Sequence, residues 1–462
     1  MIVMKFGGTS IKDADSILNV IGIIKTHLEK KPIIVISAIA QATNKLEQIG
    51  AMAASGNEKG SLDTIISLMN QHREIVNLLI KSNDNKKQII EIIDRVQSDL
   101  STIVHGVSIL KELTPRALDL ICSYGEILSS RIVAGVLQEY GVQAEWIDTK
   151  DFMITDSNFN RAQPIFDLIE KNLRSIIAPI LSRGSIPVTQ GFIGVTQNGV
   201  RTTMGRESSD YSASIIGSVL TVEDIQIWTD VDGVLTADPR IVKDAKKVRF
   251  LSFEEAYELS YLGAKVLHPS TMLPALENNI PIHIYNSRNP GLSGTLVKKI
   301  PETTTPVLKS ISYKQNLSLI IVSPRVRYSP YVFWEHVHNI LTKYNAIPAL
   351  TTSSEYNYSF VLDKKNDIDS IIENLSEIGR VEQISNQGIV SIIGTNIRDF
   401  KGLIKKVFNA VDDGKINMIS FGSTNSSLSF VVNNDDLFKI VQRIHAEFFS
   451  KDEENEMFVD LN

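Results

Sequence analysis

The sequence predicts an α/β protein with a largely parallel sheet over residues 1–300, followed by two smaller α+β units at 307–384 and 385–462. Three observations lead there. Short apolar strands alternate with helix-patterned segments through the first part, the signature of βαβ units. Some of these strands are compact β-branched runs, such as residues 33–36. Beyond a Thr-rich stretch between Pro301 and Pro306, which reads as a linker, the rhythm changes. An approximate β-α-β-β-α-β order then occurs twice, in units of about 70 residues.

Residues 1–4 open as a strand and run into the turn Lys5-Phe6-Gly7-Gly8-Thr9-Ser10. Ala14, Ile17, Leu18, Ile21 and Ile24 then recur at helical spacing, with Ser10 and Asp13 as the expected N-terminal cap. Pro32 leads into the strand at 33–36. Residues 45–138 read as mostly helical, and Leu62, Ile65, Ile66 and Met69 illustrate the spacing. Strands are predicted at 142–147, 186–189, 225–228 and 282–285, with a helix at 210–220. In the C-terminal part, strands at 317–322, 358–362 and 381–384 enclose helices at 331–344 and 368–375. The pattern restarts with a strand at 389–393, a helix at 402–411, strands at 416–420 and 427–432, and a helix at 437–449. The acidic tail 451–462 is expected to fray or to dock on a neighbour.

At 462 residues the prior is about three domains, and a 43% hydrophobic composition supplies large cores. The net charge of −6 without a long basic run argues against a nucleic-acid partner. A single cysteine, Cys122, excludes an intrachain disulfide framework and fits a reducing compartment. Its apolar helical setting marks it as a packed side chain. The chain starts directly on a strand, so no leader is expected, and no apolar run reaches the roughly 18 residues of a membrane span. A soluble, cytoplasmic protein is expected.

Four segments carry chemistry. In Lys5–Ser10, adjacent glycines admit a ligand close to backbone N–H groups, the following helix start favours anions, and Lys5 adds a full charge. Such a junction suits a phosphoryl group; the alternative is a tight βα turn with a surface lysine. Gly205-Arg206-Glu207-Ser208-Ser209-Asp210 is a polar turn opening a helix, where Arg206 could clamp a carboxylate or form a local ion pair. The run from Trp228 to Arg240 ends a strand in a loop with three aspartates after Thr229, able to hold a base and ribose or simply to turn. Gly263-Ala264-Lys265-Val266-Leu267-His268-Pro269 offers Lys265 to phosphates. Glu126, in Ser123-Tyr124-Gly125-Glu126, is weak alone.

Together these segments resemble the aspartokinases of the amino-acid kinase family, in family order and over essentially the whole chain. Ser37-Ala38 with Thr43-Asn44, the run Thr155–Phe159 with Arg161-Ala162, and Gln190-Gly191-Phe192-Ile193-Gly194 complete the set. The resemblance implies an amino-acid kinase fold, an αβα sandwich, followed by two ferredoxin-like ACT modules. It implies ATP-dependent phosphorylation of the L-aspartate β-carboxylate to 4-phospho-L-aspartate, the first step toward lysine, threonine and methionine. By the same resemblance Lys5 stabilises the transferring phosphoryl, Gly7 and Gly8 give backbone donors, and Asp210 orients Lys5. Thr43, Glu126, Arg206 and Ser209 hold aspartate, Glu126 on its α-amino group and Arg206 on its α-carboxylate. Thr229, Asp230, Leu235, Asp238, Arg240 and Lys265 surround ATP, which brings Mg²⁺; no side-chain metal site is implied. An amino-acid effector at the ACT modules, a homodimer or homotetramer, and a monofunctional chain ending at Asn462 complete the expectation. A carboxylate nucleophile is already ionised near neutral pH and needs no general base, and the chain holds no Walker A motif.

Two departures stand out. Relatives usually carry glycines in the turn that Glu207, Ser208 and Ser209 occupy; Ser208 at a commonly glycine position predicts restricted backbone approach or an unusual φ, and Glu207 adds a negative charge beside a site for anions. In the first ACT unit, Ile347–Ser354 lacks the acidic residue that lysine-inhibited relatives place there, and the loop Ser323–Pro330 is long and basic. The effector is therefore open. The rival readings are a non-catalytic amino-acid sensor with a kinase fold, or a kinase for another carboxylate.

Overall fold

The computed structural model describes residues 1–205, 208–262, 267, 269–299, 307–326, 329–412, 414–449 and 458–459. Two compact units emerge, one made of Met1–Gly233 with Ser270–Lys299 and the other of Val234–Pro269 with Ile300–Asn462. The units therefore cut the chain differently from a continuous 1–300 domain and two successors. The linker at 301–306 lies outside the described residues.

In the first unit the strands lie in the order Thr295–Val297, Ile282–Asn286, Asp224–Thr229, Ile2–Phe6, Pro32–Ile36, Ile186–Gln190 and Ala144–Trp146. These neighbours are parallel except Thr295–Val297, which runs antiparallel to Ile282–Asn286. Every residue of Ile2–Phe6, Pro32–Ile36 and Ile186–Gln190 is buried, as strands covered on both faces require. Alternation sends neighbouring side chains to opposite faces. Phe6, Trp228 and Tyr285 stack across three strands, with ring centroids 6.0 and 4.7 Å apart. Lys5 consequently points to the other face. Helices Ala42–Ala54, Glu58–Leu79, Asn83–Leu110 and Pro115–Glu139 fill the segment expected to be helical.

Helix Pro115–Glu139 begins with Pro at its first turn and a Thr114 cap. It is long and apolar enough by composition to cross a membrane, which the run-length reading did not anticipate, yet it is mostly buried inside the unit. The first helix, Ala14–Lys25, is capped by Asp13, whose side chain accepts from Ser16 N at 2.8 Å. Ser10, expected to share that role, is instead buried and donates to the Trp228 carbonyl.

The second unit contains a six-stranded antiparallel sheet in the order Leu350–Ser353, Tyr358–Asp363, Val307–Pro324, Gly379–Thr395, Ser427–Asn433 and Ile416–Phe421. Its two central strands are long, and each belongs to two modules. Leu317–Pro324 pairs with Tyr358–Asp363 and with Gly379–Ile384, and Ile320 and Val322 share a core with Phe333, Val337 and Leu375. Val307–Lys314 pairs instead with Ile389–Thr395, and Leu308 and Ile311 join the core of Val390, Phe430 and Ile444. The expected boundaries 307–384 and 385–462 are corrected accordingly: the first module is inserted after the first strand of the second. Asn316 and Asn386, at φ 60° and 57°, mark the changeover in the two strands, and asparagine tolerates this left-handed region better than most residues. Of the acidic tail, Phe458–Val459 pairs with Lys247–Val248 in the same unit.

Candidate active site

Strand Ile2–Phe6 delivers Lys5 to the start of helix Ser209–Leu220, where Asp210 lies in the first turn. Lys5 Nζ and Asp210 Oδ1 stand 2.5 Å apart, with side chains only 10% and 13% exposed. A buried ammonium needs such a partner, and the pair holds one cation at the carboxyl edge of a parallel sheet, where open α/β sheets bind ligands. Gly7 does not serve as the expected donor, because its N–H donates to the Trp228 carbonyl at 3.0 Å. Gly8 makes room. A Cβ there would lie 2.5 Å from the Ala38 carbonyl oxygen, and its own carbonyl accepts from Ala40 N. The glycine pair thus packs two βα turns together beside Lys5.

Across that junction lies Glu126, buried at 3% exposure on helix Pro115–Glu139. Its Oε1 accepts from Ala38 N at 3.1 Å, while Oε2 is buried without a hydrogen-bond partner. Burial pushes this carboxyl up to about 8. An open, desolvated carboxylate oxygen is a receptor for an ammonium group. Thr43 sits half-buried in the first turn of helix Ala42–Ala54, next to the segment that Glu126 holds.

Ser209 is buried against Gly191, whose hypothetical Cβ would come within 2.7 Å of the serine Cβ. Ser208 adopts φ −81° and ψ 3°, an ordinary conformation, so the strain expected from a serine there is absent. The positive φ of this turn falls on Gly205, at 94°. Ser208 Oγ is buried without a partner. Arg206 and Glu207 lie outside the described residues.

The Trp228–Arg240 segment is divided between the units. In the first, Thr229 O accepts from Ser287 N at 2.8 Å, and Asp230 is 3.6 Å from Arg288. In the second, Leu235, Asp238 and Arg240 are anchored on strand Val307–Pro324. Ser310 Oγ donates to the Leu235 carbonyl at 2.7 Å, Ile311 N to the Thr236 carbonyl at 2.8 Å, and Tyr313 OH to Asp238 at 2.9 Å. Arg240 forks onto Asp238, with its own side chain 82% exposed. That guanidinium holds the Asp238 carboxyl below the ordinary range. Lys265 lies outside the described residues.

The structure thus brings Lys5 to Asp210 and turns the open oxygen of Glu126 inward. Sequence reasoning missed Asn286, Ser287 and Arg288, which with Ser10 brace the same junction: Ser287 Oγ donates to Ser10 Oγ at 2.7 Å, and Asn286 Nδ2 to Asp232 at 2.6 Å. The available signal was the polar run Asn-Ser-Arg-Asn-Pro closing strand Ile282–Asn286. It missed Asp119 as well, seven residues before Glu126 on the same helix. Among the described residues no cluster of three metal-ligating side chains occurs.

Known proteins share this layout. A sequence profile of the amino acid kinase family matches residues 1–286, and one of the ACT domain matches residues 390–448. Aspartokinase 3, chloroplastic, of Arabidopsis thaliana is 33% identical over 467 residues, covering 97% of this chain and 82% of the relative. The crystal structure of Escherichia coli aspartokinase III in complex with aspartate and ADP, its R-state, is similar with a TM-score of 0.85 at 31% identity, covering 97% of this chain and 100% of that one. The T-state of that enzyme, in complex with lysine and aspartate, gives 0.79 at 30% identity, with 97% and 99% covered. A similarity that runs through nearly the whole chain, at this identity and with the same fold, reflects common descent, and the chain belongs to the aspartokinase family.

Proposed function

We propose that this aspartokinase works by placing one buried cation, Lys5, against the transferring phosphoryl group, with aspartate held by Glu126 and Arg206. It is an aspartate kinase: the γ-phosphoryl of ATP passes to the β-carboxylate of L-aspartate, giving 4-phospho-L-aspartate and ADP. The attacking carboxylate and the phosphates are all anionic, so rate enhancement rests on positioning and on neutralising charge. The observation that carries the reading is the Lys5–Asp210 pair, which orients a desolvated ammonium without leaving it unpaired.

Glu126 Oε2 suits the α-amino group of aspartate, because an ammonium would replace the partner that this buried oxygen lacks. Arg206 takes the α-carboxylate, and Thr43 and Ser209 line the substrate. Thr229, Asp230, Leu235, Asp238, Arg240 and Lys265 are assigned to ATP, with Gly8 keeping the turn low beside Lys5. Magnesium belongs to this reading as the companion of the nucleotide. It binds chiefly through phosphate oxygens and water with one or two carboxylates, so it needs no dedicated side-chain cluster, and none occurs among the described residues. When bound it supplies neutralisation of the β- and γ-phosphate oxygens.

The ACT modules regulate the enzyme through an amino acid. The edge strand Leu350–Ser353 carries no acidic side chain, so lysine and threonine are both to be tried as effectors. The reaction opens the route to lysine, threonine and methionine, and a single buried cysteine, Cys122, suits a cytoplasmic enzyme.

A coupled assay of ADP release on adding aspartate tests the activity, repeated with lysine, threonine and methionine singly and together. Release that does not depend on millimolar aspartate would refute it. Lys5→Ala is expected to lower kcat by roughly two to three orders of magnitude, the loss typical of removing one donor to a charged transition state. An unchanged kcat would remove Lys5 from the mechanism.

A further inference from the structure

Asp119 is a buried carboxylate that the proposed chemistry does not use. It is 1% exposed, on helix Pro115–Glu139. Its oxygens accept from Asn160 N at 3.2 and 3.0 Å, from Thr203 N at 2.9 Å and from Thr203 Oγ1 at 2.7 Å. These donors are neutral and lie on two separate segments, a turn at Asn160 and the end of strand Arg201–Thr203. Desolvating a carboxylate costs several kcal/mol or more when neutral donors alone offset it, so the arrangement holds geometry at the expense of stability.

The two segments matter because of what they border. Thr203 ends strand Arg201–Thr203, directly before Met204, Gly205 and Arg206. Asn160 sits at φ 67° within the run Thr155–Ala162, a motif left without a role above. Ala162 N donates to the Thr203 carbonyl at 3.0 Å, and a Cβ on Gly205 would lie 3.5 Å from the Asn160 carbonyl oxygen. Seven residues along one helix bring side chains back to nearly the same face. Asp119 and Glu126 are therefore referenced to one rigid element.

We propose that Asp119 is a positioning residue for aspartate binding: it clamps the Asn160 turn to the end of strand Arg201–Thr203 and fixes residues Thr203–Gly205, which directly precede Arg206 in the sequence. One helix then sets both ends of the substrate, its ammonium through Glu126 and its α-carboxylate through the arm that Asp119 holds. The Thr155–Ala162 motif acquires a role as the outer half of the clamp. This inference rests on the reading of Arg206 as the carboxylate ligand.

The test is steady-state kinetics of Asp119→Asn, Thr203→Val, their double variant and Arg206→Lys, with thermal melting to confirm folding. Asparagine has one acceptor oxygen and would turn an NH₂ toward donors, opening the clamp on one side. Asp119→Asn is expected to raise KM for aspartate at least tenfold while leaving KM for ATP within twofold. Thr203→Val, which loses only the hydroxyl, moves KM for aspartate the same way by about threefold, and the double variant is no worse than Asp119→Asn alone. An aspartate KM within twofold of wild type, or KM values for both substrates rising in parallel, overturns the proposal. Should Asp119→Asn fail to fold, Thr203→Val decides by the same criteria. If Arg206→Lys leaves KM for aspartate unchanged, the reading of Arg206 fails and the proposal with it. If Arg206→Lys raises it and the Asp119 and Thr203 variants do not, the Asp119 proposal alone falls.

Discussion

Glu126 shows how a single side chain reports on the site before any ligand arrives. Held at about 8 against an ordinary 4.5 by burial, it keeps its proton in the folded state where the unfolded chain has lost it. The contribution to stability is therefore complete below about pH 4.5 and is lost as pH rises through 8. Glu126→Gln is expected to flatten that fall in melting temperature and to raise KM for aspartate. In the wild-type enzyme KM for aspartate should decrease from pH 6.5 to 8.5 as the carboxyl ionises; a flat profile, or a glutamine variant with normal KM, would remove Glu126 from the ammonium site. At this scale the sequence was legible in part. Lys5 and Asp210 were paired through the family resemblance, and the structure places them together. That Gly7 spends its N–H on Trp228 was not legible, because that bond joins segments far apart in sequence, and the ordinary backbone of Ser208 was not legible from residue type.

Among elements, helix Phe253–Tyr261 is tied by a buried charge network. Its Ser252 and Glu255 form a capping box, and Glu255 also accepts from Lys309 Nζ at 2.6 Å and from Thr395 Oγ1 at 2.6 Å. Lys309 and Glu255 are both about 1% exposed, so neither is screened by water. Lys309→Met would strand a buried carboxylate and is expected to cost about 3–5 kcal/mol, measurable by urea denaturation; a loss under about 1 kcal/mol would show that solvent reaches the pair. The longer helices and strands were readable from spacing, as at Ser209–Leu220 and Leu437–Phe449, while short strands such as Arg201–Thr203 and Leu350–Ser353 and the helix Phe253–Tyr261 were not. The capping box was not remarked on, nor was the doubling in length of strands Val307–Pro324 and Gly379–Thr395. The asparagines within them look like turn residues in one dimension, and only the paired strands keep the chain extended through them.

For the whole molecule, assembly is the open property. The sheet of the second unit ends in Leu350–Ser353 on one side and Ile416–Phe421 on the other. Leu350–Ser353 is largely exposed and uncharged, and such edges are templates for pairing with another chain. Light scattering at micromolar concentration is expected to return a dimer or tetramer; a monomer throughout would show that the edges stay solvated. The modular plan of the chain was legible from composition and rhythm. Its interleaving was not, since pairing partners of opposite ends leave no mark on local periodicity.

That interleaving sets an order in time. During synthesis, Val307–Lys314 leaves the ribosome before the inserted module, yet its partner Ile389–Thr395 follows only after that module is complete. The inserted module can close early on local contacts, while Leu308 and Ile311 wait exposed until the last third of the unit arrives. The regulatory half is thus finished from the inside outward, and Leu235 and Asp238, anchored on that waiting strand, settle only when the regulator itself is whole. A truncated regulator would leave the strand beneath Leu235 and Asp238 without its partner Ile389–Thr395.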